Sequence, residues 1–246
     1  MAIRHWFDAV RSTQSTAIGL ARSGAPPGTR VVAGRQTDGV GRADHAWVSP
    51  PGGLYLSVLV EPVDPTRADL LPLAVGTELR RRIGDEFGVP TELRWPNDLM
   101  HVSPGGDRKL AGVLVDRVYS VDHGAALVVG VGINVQAEPE RFPDELRPHV
   151  ISLAELAPQT PTVEAVEEVA VVAASAAVER LSGPEGARGV IAEGRAALYG
   201  RGRRAWVDGK LAGRIHDLGD DGTLWLEGDS GRFALRSGTV SVEGSS

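Results

Sequence analysis

The chain reads as an α+β fold, and three observations carry that reading. Apolar, β-branched runs of strand length recur between glycine and proline stops, at residues 54–60, 110–117 and 125–131. Two long stretches, 69–87 and 162–181, carry apolar residues at helical spacing. From about Arg201 the pattern changes to five short strands with polar turns, at 204–207, 211–217, 223–227, 232–236 and 239–242, which predict a small antiparallel β-barrel. That change places a boundary near residue 199, with one domain over 1–199 and a second over 200–246.

Each element has a local reason. Residues 12–24 open on serine and threonine and close on Gly24, the signature of a short helix starting near Ser12 or Ser15. Val31-Val32-Ala33 is a brief buried strand that leads toward a glycine cluster. Strand 54–60 follows Pro50-Pro51-Gly52-Gly53 and should be central; Pro62 ends it. Gly88 and Pro90 stop the helix 69–87, and Leu93-Arg94-Trp95 is a strand entering a tight turn. Pro104-Gly105-Gly106-Asp107 predicts a hairpin loop. Residues 125–131 and 133–135 predict a strand interrupted by Gly132. A loop over 144–159 with a short helix at 152–156 then leads to helices 162–181 and 188–198.

Composition narrows the function. With 246 residues the chain has material for an ample core. Its net charge of −6, without a basic tail, argues against a general nucleic-acid partner. The absence of cysteine excludes disulfides, thiolate metal sites and cysteine nucleophiles, and fits a cytoplasmic location. The N-terminus lacks the apolar core of a secretory signal, and glutamates break the tract 163–181, so no segment reads as a membrane span. The six histidines show no metal-ligand spacing.

Two clusters stand out: Gly39-Val40-Gly41-Arg42 closed by Trp47, and Arg94-Trp95-Pro96-Asn97-Asp98 followed by Lys109-Leu110-Ala111-Gly112. Gly-x-Gly beside a cation can cradle phosphate, because glycine lets backbone N–H groups approach oxygen. The third glycine and the acidic residue of the dinucleotide fingerprint are missing here, and taken alone the glycines favour an ordinary loop. Lysine is rare in this chain: of 26 basic residues only Lys109 and Lys210 are lysines. A compact, rotatable ammonium at the head of a small-residue strand suits a ligand wall, although a solvated hairpin lysine is the commoner case. Trp47 reads either as a core aromatic or as a clamp over a ligand, and Gly130-Val131-Gly132-Ile133-Asn134 as a close-packed strand or a bare backbone surface for a flat ring.

In order and spacing, Ser12-Thr13-Gln14, Gln36-Thr37, the Gly39 cluster, Trp47, the Arg94 cluster, Lys109-Leu110-Ala111-Gly112 and Gly130-Val131-Gly132-Ile133-Asn134 resemble the biotin protein ligases. Arg236-Ser237-Gly238-Thr239-Val240-Ser241 resembles the end of that family's small barrel, so the resemblance spans essentially the whole chain. It implies a mixed β-sheet flanked by helices, related to class II aminoacyl-tRNA synthetases, with a C-terminal barrel of the Src-homology type. Because the ligase pattern begins within about a dozen residues of Met1, it further implies a monofunctional type without the DNA-binding domain of the family's repressors. The implied substrates are biotin and ATP with Mg²⁺, and the implied partner is the biotin carboxyl carrier domain of a carboxylase; a homodimer is left open.

The same resemblance distributes roles. Arg42 and Lys109 would face the biotin carboxylate and the α-phosphate, and Asp98 would orient or deprotonate the incoming lysine. Ser12, Thr13 and Gln36 would bind the ureido ring, with Gly39 and Gly112 allowing close approach. Asn134 and Gly132 would serve the adenosine half, alongside Arg42, and Trp47 would cover the reactive centre. The family loop usually reads Gly-Arg-Gly-Arg-x-Gly-Arg, whereas Val40, Asp44 and His45 stand here; this sets a leaky ligase, or a non-catalytic biotin-binding regulator, beside the active enzyme. A lipoate or octanoate transferase is less favoured, since its Arg-Arg-x-Ser-Gly-Gly-Gly pattern is missing.

Overall fold

The computed structural model of the chain describes residues 3–244, the side chain of Asp44 apart. Strand β1 (Arg4–Phe7) pairs in parallel with β2 (Arg30–Ala33), and helix α1 (Thr13–Arg22) lies between them in sequence. Ser12 caps α1, its hydroxyl oxygen accepting the N–H of Ser15. From β2 the sheet continues antiparallel through β3 (Gly53–Val60). At its other end β4 (Glu92–Arg94), β5 (Asp98–His101), β6 (Arg108–Ser120) and β7 (Gly124–Asn134) complete seven strands in the order β1-β2-β3-β7-β6-β5-β4.

Two expectations are corrected. Gly132 does not interrupt its strand: β7 is continuous and pairs Gly132 with Tyr55 on one side and Gly112 on the other. The backbone ladder does not need a side chain, so the glycine removes only what would stand on the sheet face. Strands β1 and β5 have no counterpart in the sequence reading, because four-residue strands with charged ends carry too little period-two signal.

Alternation along the strands divides the sheet into two covered faces. On one, Val31, Leu59, Val118 and Val128 pack beneath α1 through Ala17 and Ala21. The other carries Val32, Leu56, Val58 and Val129 into the main core, with helices α2 (Leu71–Phe87), the short α3 (Leu153–Leu156), α4 (Val163–Ser182) and α5 (Gly186–Ala196). Helix α2 ends on Gly88 at φ +67°, a left-handed cap that glycine takes without a Cβ penalty. Thr162 caps α4 by accepting the N–H of Ala165.

A second antiparallel sheet of five strands occupies the place of the expected barrel: β8 (Arg204–Val207), β9 (Lys210–Leu218), β10 (Leu224–Gly228), β11 (Gly231–Leu235) and β12 (Val240–Val242). Its apolar residues Ile215, Leu224, Leu226 and Val242 join the same core cluster as the helices. The connection also binds the edge of the first sheet, where the N–H of Tyr199 donates to the carbonyl of Leu93 at 2.9 Å.

Candidate active site

The site arises where side chains disappear from the α1 face of the large sheet. Strand register sets Gly112, Gly132 and Tyr55 in one row across β6, β7 and β3, and Leu114, Gly130 and Ser57 in the next. Helix α1 begins at Thr13 and covers the face only as far as the second row, where a Cβ on Gly130 would meet Gln14 Oε1 at 2.6 Å. Beyond it lies a cavity of about 270 Å³, walled by the loop around residues 40–47, the turn 94–98, Lys109, and Thr239 with Val240 from the second sheet.

At the α1 end the lining is uncharged and hydrogen-bonded. The N–H of Thr13 donates to Gln36 Oε1 at 2.8 Å, and Gln36 Nε2 donates to Ser49 Oγ at 2.9 Å. Ser57 Oγ stands 3.0 Å from Thr13 Oγ1 and 2.8 Å from Gln14 Oε1, while Gln14 Nε2 donates to Asp116 at 2.8 Å. Ser57 and Gln14 are both buried, so these partners replace water that the groups have lost.

The other end is charged. Asp98, buried at the start of β5, takes Lys109 Nζ on Oδ1 at 2.7 Å and Arg94 on Oδ2 at 2.6 Å. Burial works against its ionisation, but the charges of Lys109 and Arg94 outweigh that and hold the carboxyl below the ordinary aspartate range. Arg42 reaches Asn97 Oδ1 at 3.4 Å; burial lowers its guanidinium pKa, with Asp98 acting in the opposite sense. Between the two ends the Trp47 ring lies on the glycine row: a Cβ would fall 2.5 Å from it at Gly132 and 2.9 Å at Gly112. Lys109 Nζ sits 4.9 Å from the centre of the same ring. Such a cavity can hold an elongated ligand with a polar ring at one end and an anion at the other.

Residues 6–134 match the Biotin/lipoate A/B protein ligase family. The chain belongs to this family. Among curated relatives, the bifunctional ligase/repressor BirA of Bacillus subtilis is 35% identical over 154 residues, 62% of this chain and 46% of that protein. The biotin--[acetyl-CoA-carboxylase] ligase of Paracoccus denitrificans is 30% identical over 132 residues, 52% of this chain and 53% of its own. The chain thus spans about half the length of these relatives. Among solved structures, the biotin protein ligase from Aquifex aeolicus in complex with biotin and ATP superposes with a TM-score of 0.79 at 26% identity, covering 99% of this chain and 100% of that one. The mixed sheet flanked by helices, with a small C-terminal β-sheet, is the fold of these biotin protein ligase structures.

The family match contains every cavity residue except Thr239 and Val240. Of the residues singled out from sequence, Thr13, Gln36, Arg42, Trp47, Asp98, Lys109, Gly112 and Gly132 come together around the cavity. Ser12 does not line it; its oxygen is used as the α1 cap. Gly39 packs inside the loop, where a Cβ would meet the carbonyl oxygen of Trp47 at 2.4 Å. Asn134 lies buried behind the wall, its Nδ2 toward the Lys109 carbonyl at 3.4 Å and its Oδ1 without a hydrogen-bond partner. The Gly132 surface, expected to receive a flat ring, is covered by Trp47. The cavity also recruits Ser57, unseen in sequence although it is the one hydroxyl of aliphatic type in the run 54–60. Asn97 braces the turn by donating from Nδ2 to the Val113 carbonyl at 2.6 Å.

Proposed function

We propose that this protein is an ATP-dependent biotin protein ligase, which forms biotinyl-5′-AMP and passes biotin to a lysine of a biotin carboxyl carrier domain. The observation that carries this reading is the polarity of the cavity: neutral hydrogen-bonding groups at Thr13 and Gln36, and cations at Arg42 and Lys109. A cyclic urea needs partners for its buried polar edge, and a carboxylate attacking an α-phosphate needs positive charge where negative charge accumulates. Arg42 and Lys109 supply that charge. Asp98, ionised and paired with Arg94 and Lys109, would fix the position of Lys109 and orient the incoming lysine amine. Gly112 and Gly132 leave room for the Trp47 ring, which would present its free face to the nucleotide side, while Asn134 supports the wall behind it.

Among the described residues no group of three or more histidine, aspartate or glutamate side chains could hold a metal ion, and the cavity carboxylate Asp98 is already paired. These residues do not fit a resident cation, and Mg²⁺ enters only as the companion of ATP. No helix among the described residues is long and apolar enough to cross a membrane. We further propose that the ligase is cytoplasmic and acts without nucleic acid, with a catalytic domain over 1–199 and a C-terminal domain over 200–246. A second reading, in which the adenylate escapes before transfer, is favoured by the loop at Val40 and His45, where Arg42 is the sole guanidinium facing the cavity from that segment. The test is pyrophosphate release from MgATP with and without biotin, followed by mass analysis of an added carrier domain. Biotin-dependent release with a biotin-sized gain on the carrier is expected. Release without carrier gain would select the leaky reading, and biotin binding without release would dismiss the ligase.

A further inference from the structure

Asp116 lies outside the cavity lining, yet it ends a hydrogen-bond chain that runs along the α1 end of it through Gln14, Ser57, Thr13 and Gln36. Both ends of that chain are fixed in direction. Gln14 Nε2 faces two acceptors, Asp116 Oδ2 at 2.8 Å and the Val128 carbonyl at 3.2 Å, so the amide nitrogen must point there and Oε1 must face Ser57. At the other end the N–H of Thr13 can only donate, which fixes Oε1 of Gln36 as its partner.

The middle then follows from counting protons. Ser57 has one hydroxyl hydrogen and two neighbours, Gln14 Oε1 and Thr13 Oγ1. Given to Thr13, it would leave the buried Gln14 oxygen without a donor, so it goes to Gln14. The Thr13 hydrogen in turn stays inside the chain, with Ser57 Oγ at 3.0 Å and Gln36 Oε1 at 3.1 Å as its acceptors. Thr13 Oγ1 therefore meets the cavity as an acceptor, beside Gln36 Oε1, which the Thr13 N–H already fixes as one. The reverse direction would require Gln14 to turn its oxygen toward the Asp116 carboxylate, where two acceptors would face each other.

We propose that Asp116 is a positioning residue that sets the direction of this chain, and thereby makes the polar end of the cavity selective for a ring carrying N–H donors over one that lacks them. The inference rests on the biotin reading above, since the urea of biotin offers two N–H groups on one side of its ring. It acts at a distance: Asp116 touches Gln14, and Gln14 reaches the ligand-facing oxygens through Ser57.

The test compares wild type with Asp116→Asn, an isostere that can either accept from or donate to Gln14, so that only the Val128 carbonyl at 3.2 Å is left to orient the amide and the bias is weakened. Steady-state adenylation is measured with biotin, with biotin methylated on a urea nitrogen, and with a biotin analogue one methylene shorter in its side chain. For Asp116→Asn the KM for biotin should rise about ten-fold, the scale of a hydrogen bond to a charged group, and KM for ATP should stay near that of wild type. The preference for biotin over the N-methyl analogue should shrink, while the preference over the shortened analogue persists. Ser57→Ala should produce the same change, and the double variant should be no worse than either single one, because both break one chain. Additive effects, an equal loss against both analogues, or an unchanged N-methyl preference in either variant would overturn the role of Asp116. If wild type shows no biotin-dependent turnover, the ligase reading itself fails, which is a distinct result.

Discussion

Lys109 illustrates how one side chain is set up by its neighbours. Its ammonium lies between the Asp98 carboxylate at 2.7 Å and the face of Trp47 at 4.9 Å, so it is held toward the cavity without being locked by the rigid fork that an arginine would present. Lys109→Ala should reduce biotin-dependent pyrophosphate release by about 10²–10³-fold, the usual effect of removing a charge-stabilising donor. The fold should persist, because the side chain is partly exposed and its loss opens no large core void. Near-normal release by that variant, with an unchanged circular dichroism spectrum, would take Lys109 out of the reaction. The carboxylate left behind would still be neutralised by Arg94 at 2.6 Å, so misfolding is not the expected explanation of lost activity.

At the scale of elements, helices α2, α4 and α5 are joined by one buried carboxylate. Glu78 on α2 is 3% exposed and binds Arg81 at 2.8 Å, Arg82 at 3.3 Å and Arg180 of α4 at 2.9 Å; Arg180 continues to Glu193 of α5. Burial opposes the ionisation of Glu78, but hydrogen bonds and charge from Arg81 and Arg180 prevail and depress its pKa. A depressed carboxylate contributes stability that is complete above its unfolded pKa and is lost as pH falls through the folded one. Glu78→Gln should therefore cost about 3 kcal/mol at neutral pH, as expected for breaking a buried ion pair from one side. Denaturant unfolding should show the gap between wild type and variant closing as the solution is acidified below the ordinary glutamate range. A gap that is the same at every pH would mean that shape, not charge, holds the three helices.

Across the whole molecule the second sheet is part of the site. Thr239 and Val240 line the cavity, and the indole N–H of Trp95 donates to the Gly222 carbonyl at 2.9 Å, tying the turn that carries Asp98 to the turn before β10. Gly222 itself is at φ +78°, a conformation glycine takes without a Cβ penalty, and its bare backbone leaves room for the end of the Leu70 side chain, which a Cβ would meet at 2.3 Å. Trp95→Phe keeps an aromatic ring but removes the donor and the five-membered half of the indole, and should destabilise the protein by at least about 1 kcal/mol. For a chain of this size each such kcal/mol lowers Tm by about 2–4 °C. An unchanged Tm in calorimetry would mean that the shared apolar core alone holds the second sheet in place.

Much of this was legible in the residues themselves. Capping serine and threonine, left-handed glycines and alternating apolar runs act over a few neighbours, so α1, α2, α4 and the strands from β8 to β12 can be read directly. The motif order likewise determined the family and most of the cavity's charged and glycine residues. What only the tertiary structure decided is which of those residues meet. Ser12 went to its helix cap, Asn134 behind a wall, and Trp47 onto two glycines that register, not sequence proximity, had put side by side. Gln14 and Asp116 stand 102 residues apart in sequence, and nothing local to either announces that one orients the other. The direction of a hydrogen-bond chain depends on which donors and acceptors are buried together, and that is settled only when the strands pair and α1 is laid across them.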